Sequence, residues 1–121
     1  MHARKKAAAP NANEIRTALL PRLTALGVAR VKADYSGYQG AGGIDMLDFI
    51  DEAGAPIDVE QADPPLIHRV RDVLAAFLPE GFEQSEGGQG DLWLEVATGT
   101  VRLEHEENYT ATRTTSREWR I

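Results

Sequence analysis

The sequence predicts an α+β fold: an antiparallel sheet of about four or five strands with two helices packed on one face, in the order α-β-β-α-β-β-β. Three observations predict it. Two segments, 13–26 and 64–78, repeat apolar residues at helical spacing. Segments around 28–35, 91–97 and 101–105 alternate apolar and polar residues with a period of two. Glycine-rich turns, rather than helices, follow most of the strand-like segments, which is the pattern of hairpins. At 121 residues the chain has the length of one domain.

Residues 1–11 combine Arg4, Lys5 and Lys6 with an alanine run and Pro10, and show no apolar period. They are expected to form a disordered basic tail, with residues 12–121 as the folded domain. Within 13–26, Ile15, Leu19, Leu23 and Leu26 fall on one helical face. Asn11 or Asn13 can cap the first turn, and Gly27 supplies a left-handed stop. Pro21 removes the hydrogen bond to the carbonyl of Thr17 and clashes there, so the helix should kink or break in two.

Val28–Tyr35 reads as a half-buried strand, with Ala29, Val31, Ala33 and Tyr35 on one side and Arg30, Lys32 and Asp34 on the other. Ser36–Gly43 has four glycines in eight residues and is expected to be irregular. Ile44–Asp51 is the next strand and 52–56 a turn, after which Ile57 and Val59 extend a short edge segment. Asp63-Pro64 opens the second helix, a capping acid followed by proline where its missing N–H is harmless. Its buried stripe is expected at Ile67, Val70, Leu74, Phe77 and Leu78, and Pro79 and Gly81 end it. Phe82 opens a short extended piece, and 85–90 is a second glycine-rich connection. Residues 91–105 form a hairpin about Thr98-Gly99, with Leu92, Leu94 and Val96 opposite in facing to Trp93, Glu95 and Ala97. Tyr109–Thr115 is the last strand.

Charge is segregated. The net charge of -6 divides into +5 over residues 1–43, -13 over 44–107 and +2 over 108–121. Asp45, Asp48, Asp51, Glu52, Asp58, Glu60 and Asp63 follow one another with no base between them. Either they form a solvated face that keeps the protein dispersed, or they dock a basic partner. The same field opposes direct nucleic-acid binding, for which only the basic tail and the C-terminal arginines speak. With no cysteine, disulfides, thiolate metal sites and cysteine nucleophiles are excluded. No apolar run approaches the roughly 18 residues of a membrane span, and the N-terminus lacks the apolar core of a secretory signal. A cytoplasmic protein with no membrane association is expected.

Tyr35–Gly43, with Tyr35 and Tyr38, is either a flexible hairpin connection or a recognition loop; it lacks the Gly-Lys-Ser/Thr ending of a phosphate loop and the following helix of a dinucleotide loop. On a regular strand Asp45 and Asp51 share a face and Asp48 lies on the other, so the three could hold a cation only if the backbone bends. His105, in Glu104-His105-Glu106-Glu107, could join a metal site with the carboxylates of 45–51 or His68, although no helical His-Glu-x-x-His pattern exists. Trp93 faces away from Leu92 and Leu94, so either both sheet faces are covered or an aromatic is exposed. Trp119 could pin the terminus into the core or meet a partner.

Two motifs, Tyr35-Ser36-Gly37-x-x-Gly40-x-Gly42 before an acidic strand and Leu78-Pro79-Glu80-Gly81-Phe82-Glu83 before a glycine-rich loop and the hairpin Leu92–Glu107, resemble a family of small uncharacterised bacterial and phage- or plasmid-borne proteins. The resemblance covers about residues 12–110. Gln39-Gly40-Ala41-Gly42 departs from the family's Gly-Asp core, and Phe82 stands where the family has tryptophan. Losing that aspartate removes support for a metal or catalytic role of the loop. What the resemblance implies is the fold rather than an activity.

The function expected is therefore a non-enzymatic binding module with no cofactor, whose partner surface of Tyr35, Tyr38, Asp45, Asp48, Asp51, Glu52 and Trp93 docks on a basic protein. Such a surface could imitate nucleic acid, as inhibitors carried by mobile elements do. The alternative is a small metal-assisted enzyme using the carboxylates of 45–51 with His105.

Overall fold

The computed structural model describes residues 9–79, 81, 87–107 and 113–121. Its element order is the expected one with a short extra helix before the second long one. Helix α1 is α-helical over Ala12–Glu14, widens to a π turn over Ile15–Leu19 and resumes over Leu20–Ala25. Strands β1 (Arg30–Tyr38) and β2 (Ala41–Ile50) follow, then helices α2 (Val59–Ala62) and α3 (Pro64–Ala75). Strands β3 (Gly88–Glu95), β4 (Thr100–Glu107) and β5 (Arg113–Arg120) complete one antiparallel sheet in the order β2-β1-β3-β4-β5.

At Pro21 the helix is interrupted by a π turn over Ile15–Leu19 and runs on over Leu20–Ala25. The Leu20 N–H bonds the carbonyl of Ile15, five residues back, and the next residue is the proline, which has no N–H to offer. The wider turn gives the pyrrolidine ring room that an α turn would deny it. Ile15, Leu19 and Leu23 remain buried on one face, and Gly27 ends the helix at φ 83°. Ordered structure begins before residue 12. Ala9 packs against the core, and the Asn11 side-chain amide donates to the Val73 carbonyl at 3.4 Å instead of capping its own helix. The rest of the expected tail, residues 1–8, lies outside the described residues.

The glycine-rich stretch 36–43 is regular after all. β1 runs on to Tyr38, and β2 starts at Ala41. Only Gln39 (φ 52°) and Gly40 (φ 87°) form the turn. Two consecutive positive φ angles give the two-residue turn whose twist matches the flanking strands. Gly37 and Gly42 are paired strand residues. β3 likewise absorbs Gly88, Gln89 and Gly90, expected to lie in a connection. β5 lies later than expected, over 113–120 in place of 109–115, of which 109–112 fall outside the described residues, as does Phe82.

Val59 starts a helix rather than extending an edge, because the Asp58 carboxylate accepts from the Gln61 N–H at 3.0 Å and caps it. Helix α3 is rotated from the expected stripe. Leu66, Val70, Val73 and Leu74 are buried on it, while Ile67 is only half-buried. Phe77 is buried beyond its C-terminus, and Leu78 is half-buried. These residues and those of α1 meet Val31, Ala33, Tyr35, Leu92, Leu94, Val101 and Leu103 on one face of the sheet. Two ion pairs tie the helical layer together: Arg22 to Asp63 at 2.8 Å, and Arg69 to Glu14. Trp119 joins this core edge-on to Phe77, with ring centres 5.1 Å apart.

Candidate functional site

Among the described residues the helices cover one face of the sheet, and nothing packs over the other. Register fixes what the open face carries, because residues directly opposite on neighbouring strands point the same way. Ranks run across the sheet. One reads Asp48, Lys32, Trp93, Arg102, Glu118, from β2 to β5. The next reads Met46, Asp34, Asp91, Glu104, Ser116. The last reads Ser36, Gln89, Glu106, Thr114. On the far side of the Trp93 rank lie Arg30, Glu95 and Arg120.

The face is therefore polarised. Its cations, Arg30, Lys32, Arg102 and Arg120, gather at the end where β1 begins. At the hairpin end stand Asp34, Asp91, Glu104 and Glu106 with no cation in their own ranks. Asp45 joins them through a β-bulge. Asp34 pairs with Met46 and Tyr35 with Ile44, so Asp45 is the extra residue between them. Its carboxylate accepts from the Ser36 hydroxyl at 2.6 Å. The bulge thus brings Asp45 to the face of Asp48, correcting the regular-strand expectation that the two point apart.

Asp34, Asp91 and Glu104 lie abreast on three adjacent strands, an arrangement that repels when all three are ionised. The Asp91 carboxyl is pushed up to about 6, first by its hydrogen bond with Asp34, then by partial burial and the charges of Asp34 and Glu104, against the pull of Lys32. Lys32 also sits 3.7 Å from Asp34. Trp93, in the central strand, is only partly exposed, because Arg30 and Lys32 lie over its ring at 5.7 and 5.2 Å. Exposed apolar groups flank the acidic end: Met46 is 54% accessible and Tyr38, at the hairpin tip, 58%.

The expected partner surface is thus partly assembled and partly dispersed. Tyr38, Asp45, Asp48 and Trp93 belong to the open face or its rim. Tyr35 does not: it is 2% exposed, in the core. Asp51 and Glu52 lie past the opposite end of β2. There the Asp51 carboxylate accepts from the N–H groups of Ala53 (2.9 Å) and Ala55 (2.8 Å) and builds the turn. Both line a shallow groove of about 510 Å³ with Thr24, Gly27 and Ala97. Asp58 caps α2, and Asp63 pairs with Arg22. The acidic run in sequence is therefore not one patch in space. Asp34, Asp91, Glu104 and Glu106 supply most of the patch that forms. Their only sequence signal was a polar position in an alternating strand.

His105 lies on the core side, 4% exposed, whereas Asp45 and Asp48 are on the open face. The sheet separates them, and the expected meeting of His105 with the 45–51 carboxylates is not made. Among the described residues no group of three His, Asp or Glu side chains is placed to hold a metal ion. The Tyr35 hydroxyl meets His105 Nδ1 at 2.5 Å, with the two rings parallel within 3°. Burial holds the imidazole below its usual value and the phenol above its own. Gly90 and Gly88 leave room for the pair.

A buried neutral histidine makes stability pH-dependent. Unfolded, His105 takes up its proton near pH 6.5; folded, it does so only at lower pH, so its contribution is present above about 6.5 and lost as the pH falls. Asp91 acts in the opposite sense, its folded value being raised, so it stabilises on the acid side and that contribution is lost as the pH rises through about 6. In an Asp91→Asn background, the urea midpoint should therefore fall between pH 7.5 and 5.5. Adding His105→Gln should flatten that slope; an unchanged slope would show that His105 is not its source.

No family model, curated protein or solved structure matches the chain. Among the described residues no helix is long and apolar enough to cross a membrane.

Proposed function

We propose that the chain is a non-enzymatic binding module whose open, acidic sheet face docks on a basic protein partner. The observation that carries this reading is the rank Asp34–Asp91–Glu104, three carboxylates abreast on a face that no described element covers, with Lys32, 3.7 Å from Asp34, as the one cation beside them among the described residues. Within a fold such an arrangement costs stability. A partner's arginines or lysines would relieve it, since each guanidinium can take a carboxylate pairwise. Met46 and Tyr38 offer apolar surface to the aliphatic stems of the same side chains. A finer form of the reading is charge mimicry, in which the ranked carboxylates occupy a cleft built for nucleic acid.

The test is titration with a capped arginine-rich peptide at low and high salt. Exposed charges are screened beyond about 8–10 Å at ordinary ionic strength, so affinity should fall steeply with salt. Amide shifts should concentrate on β1, β3 and β4 at the hairpin end. Absence of binding at low salt, or shifts centred on the Asp51–Glu52 turn, would overturn the proposal.

A further inference from the structure

The fold closes one edge of the sheet and leaves the other open. At the β2 edge, the Phe49 carbonyl takes the Ile57 N–H at 2.8 Å, the Ile44 carbonyl takes Arg71 Nη1 at 3.0 Å, and Pro56 bridges to Ile50. The bulge at Asp45 disrupts that edge further. These are devices that keep foreign strands off.

The β5 edge has no such cover among the described residues. Its pattern of open groups follows from one bond. The Ile121 N–H donates to the Gly99 carbonyl at 2.8 Å, so 121 and 99 form a hydrogen-bonded pair of the β4–β5 ladder. Hydrogen-bonded and non-bonded pairs alternate in an antiparallel ladder. Trp119, Arg117 and Thr115 therefore exchange bonds with Val101, Leu103 and His105. Thr114, Ser116, Glu118 and Arg120 direct N–H and C=O away from β4, along the eight residues of the strand. That length is roughly 27 Å of open edge at about 3.4 Å per residue.

We propose that β5 is a strand-addition site for an extended acidic segment of a partner polypeptide. Main-chain bonds to the four open residues provide the docking, and charge selects the guest. β5 carries Arg113, Arg117 and Arg120 against Glu118, in a chain whose net charge is -6. A second copy of the chain fits less well. The two-fold antiparallel register that satisfies all four open residues sets Arg117 directly against its own copy, and like charges so placed repel. Trp119, half-buried beside Phe77 next to this edge, gives the guest's core-side residues an apolar neighbour. β5 borders the same face, but strand addition uses the outward backbone groups of β5 and the acidic docking uses carboxylates of β1, β3 and β4, so neither proposal depends on the other.

The test is amide hydrogen exchange by NMR on the full chain, with a capped octapeptide of valine and threonine carrying three glutamates, and a control peptide with lysines in their place. In the free protein, Thr114, Ser116, Glu118 and Arg120 should exchange fast, and Thr115, Arg117 and Trp119 slowly. The acidic peptide should slow the four fast amides at least tenfold, and the lysine peptide should not. Ser116→Pro removes one outward N–H without touching the β4 ladder, and proline is tolerated on such an edge. It should abolish the protection while leaving the melting temperature near its original value. Three results would overturn the proposal: no protection by the acidic peptide, equal protection by the lysine peptide, or protection that needs no peptide and rises with protein concentration, which would make the occupant a second copy.

Discussion

Gly90→Ala should lower the melting temperature by roughly 10 °C, from a cost of about 3 kcal/mol at a few degrees per kcal/mol. A β-carbon at residue 90 would lie 2.0 Å from the Glu104 carbonyl oxygen and 2.8 Å from the Tyr35 hydroxyl. Neither neighbour can move away cheaply. The carbonyl belongs to strand β4, and the hydroxyl is held by His105 in the core. The backbone angle at Gly90 is ordinary, so the effect is one of space, not of conformational strain. Gly43→Ala is the control: it too is a strand glycine at ordinary φ, and an added β-carbon there meets nothing within 4 Å. Thermal melts of both variants check the argument. Equal melting temperatures would mean that β3 and β4 can separate locally without loss.

Neutralising the carboxylate rank should separate stability from binding. The triple change Asp34→Asn, Asp91→Asn, Glu104→Gln keeps side-chain size and removes mutual repulsion. We expect the melting temperature to rise or hold, while affinity for the arginine-rich peptide drops at least tenfold. Lost binding with retained or improved stability is the behaviour of residues kept for a partner rather than for the fold. If affinity is unchanged, the rank is not the docking site. Altering Asp51 is a poorer test. Its carboxylate holds two turn amides, so a change there would disturb the fold and obscure any effect on docking.

The element order was readable because the apolar periods are strong. Ile15, Leu19 and Leu23 announce a helix, and Leu92 to Val96 a strand, through burial that the fold then delivers. The glycine-rich stretches were not legible, because glycine content favours irregular backbone when no partner strand is known. In the structure the glycines serve as strand residues where backbone or rings approach closely, as at Gly88 and Gly90. The candidate site was harder to read. Asp45 and Asp48 stand out by their acidic neighbourhood, yet their common facing depends on a bulge that no residue pattern advertises. Asp34, Asp91 and Glu104 are distant in the chain, and only strand order makes them neighbours.

The strand order also bears on how the chain folds. β1 with β2, and β3 with β4, are local hairpins that close over short turns. β1 and β3 meet across a seam that pairs residues 30–37 with 88–95, and the two hairpins are joined only by the segment that carries α2 and α3. Closing that seam brings together residues far apart in sequence, an entropic cost that falls before most of the core is buried. Isolated hairpins form within about 1–10 μs, so β1–β3 pairing is expected to follow hairpin formation. The buried pair Tyr35–His105, on β1 and β4, spans both hairpins, and its protection from exchange should appear only once the seam has closed.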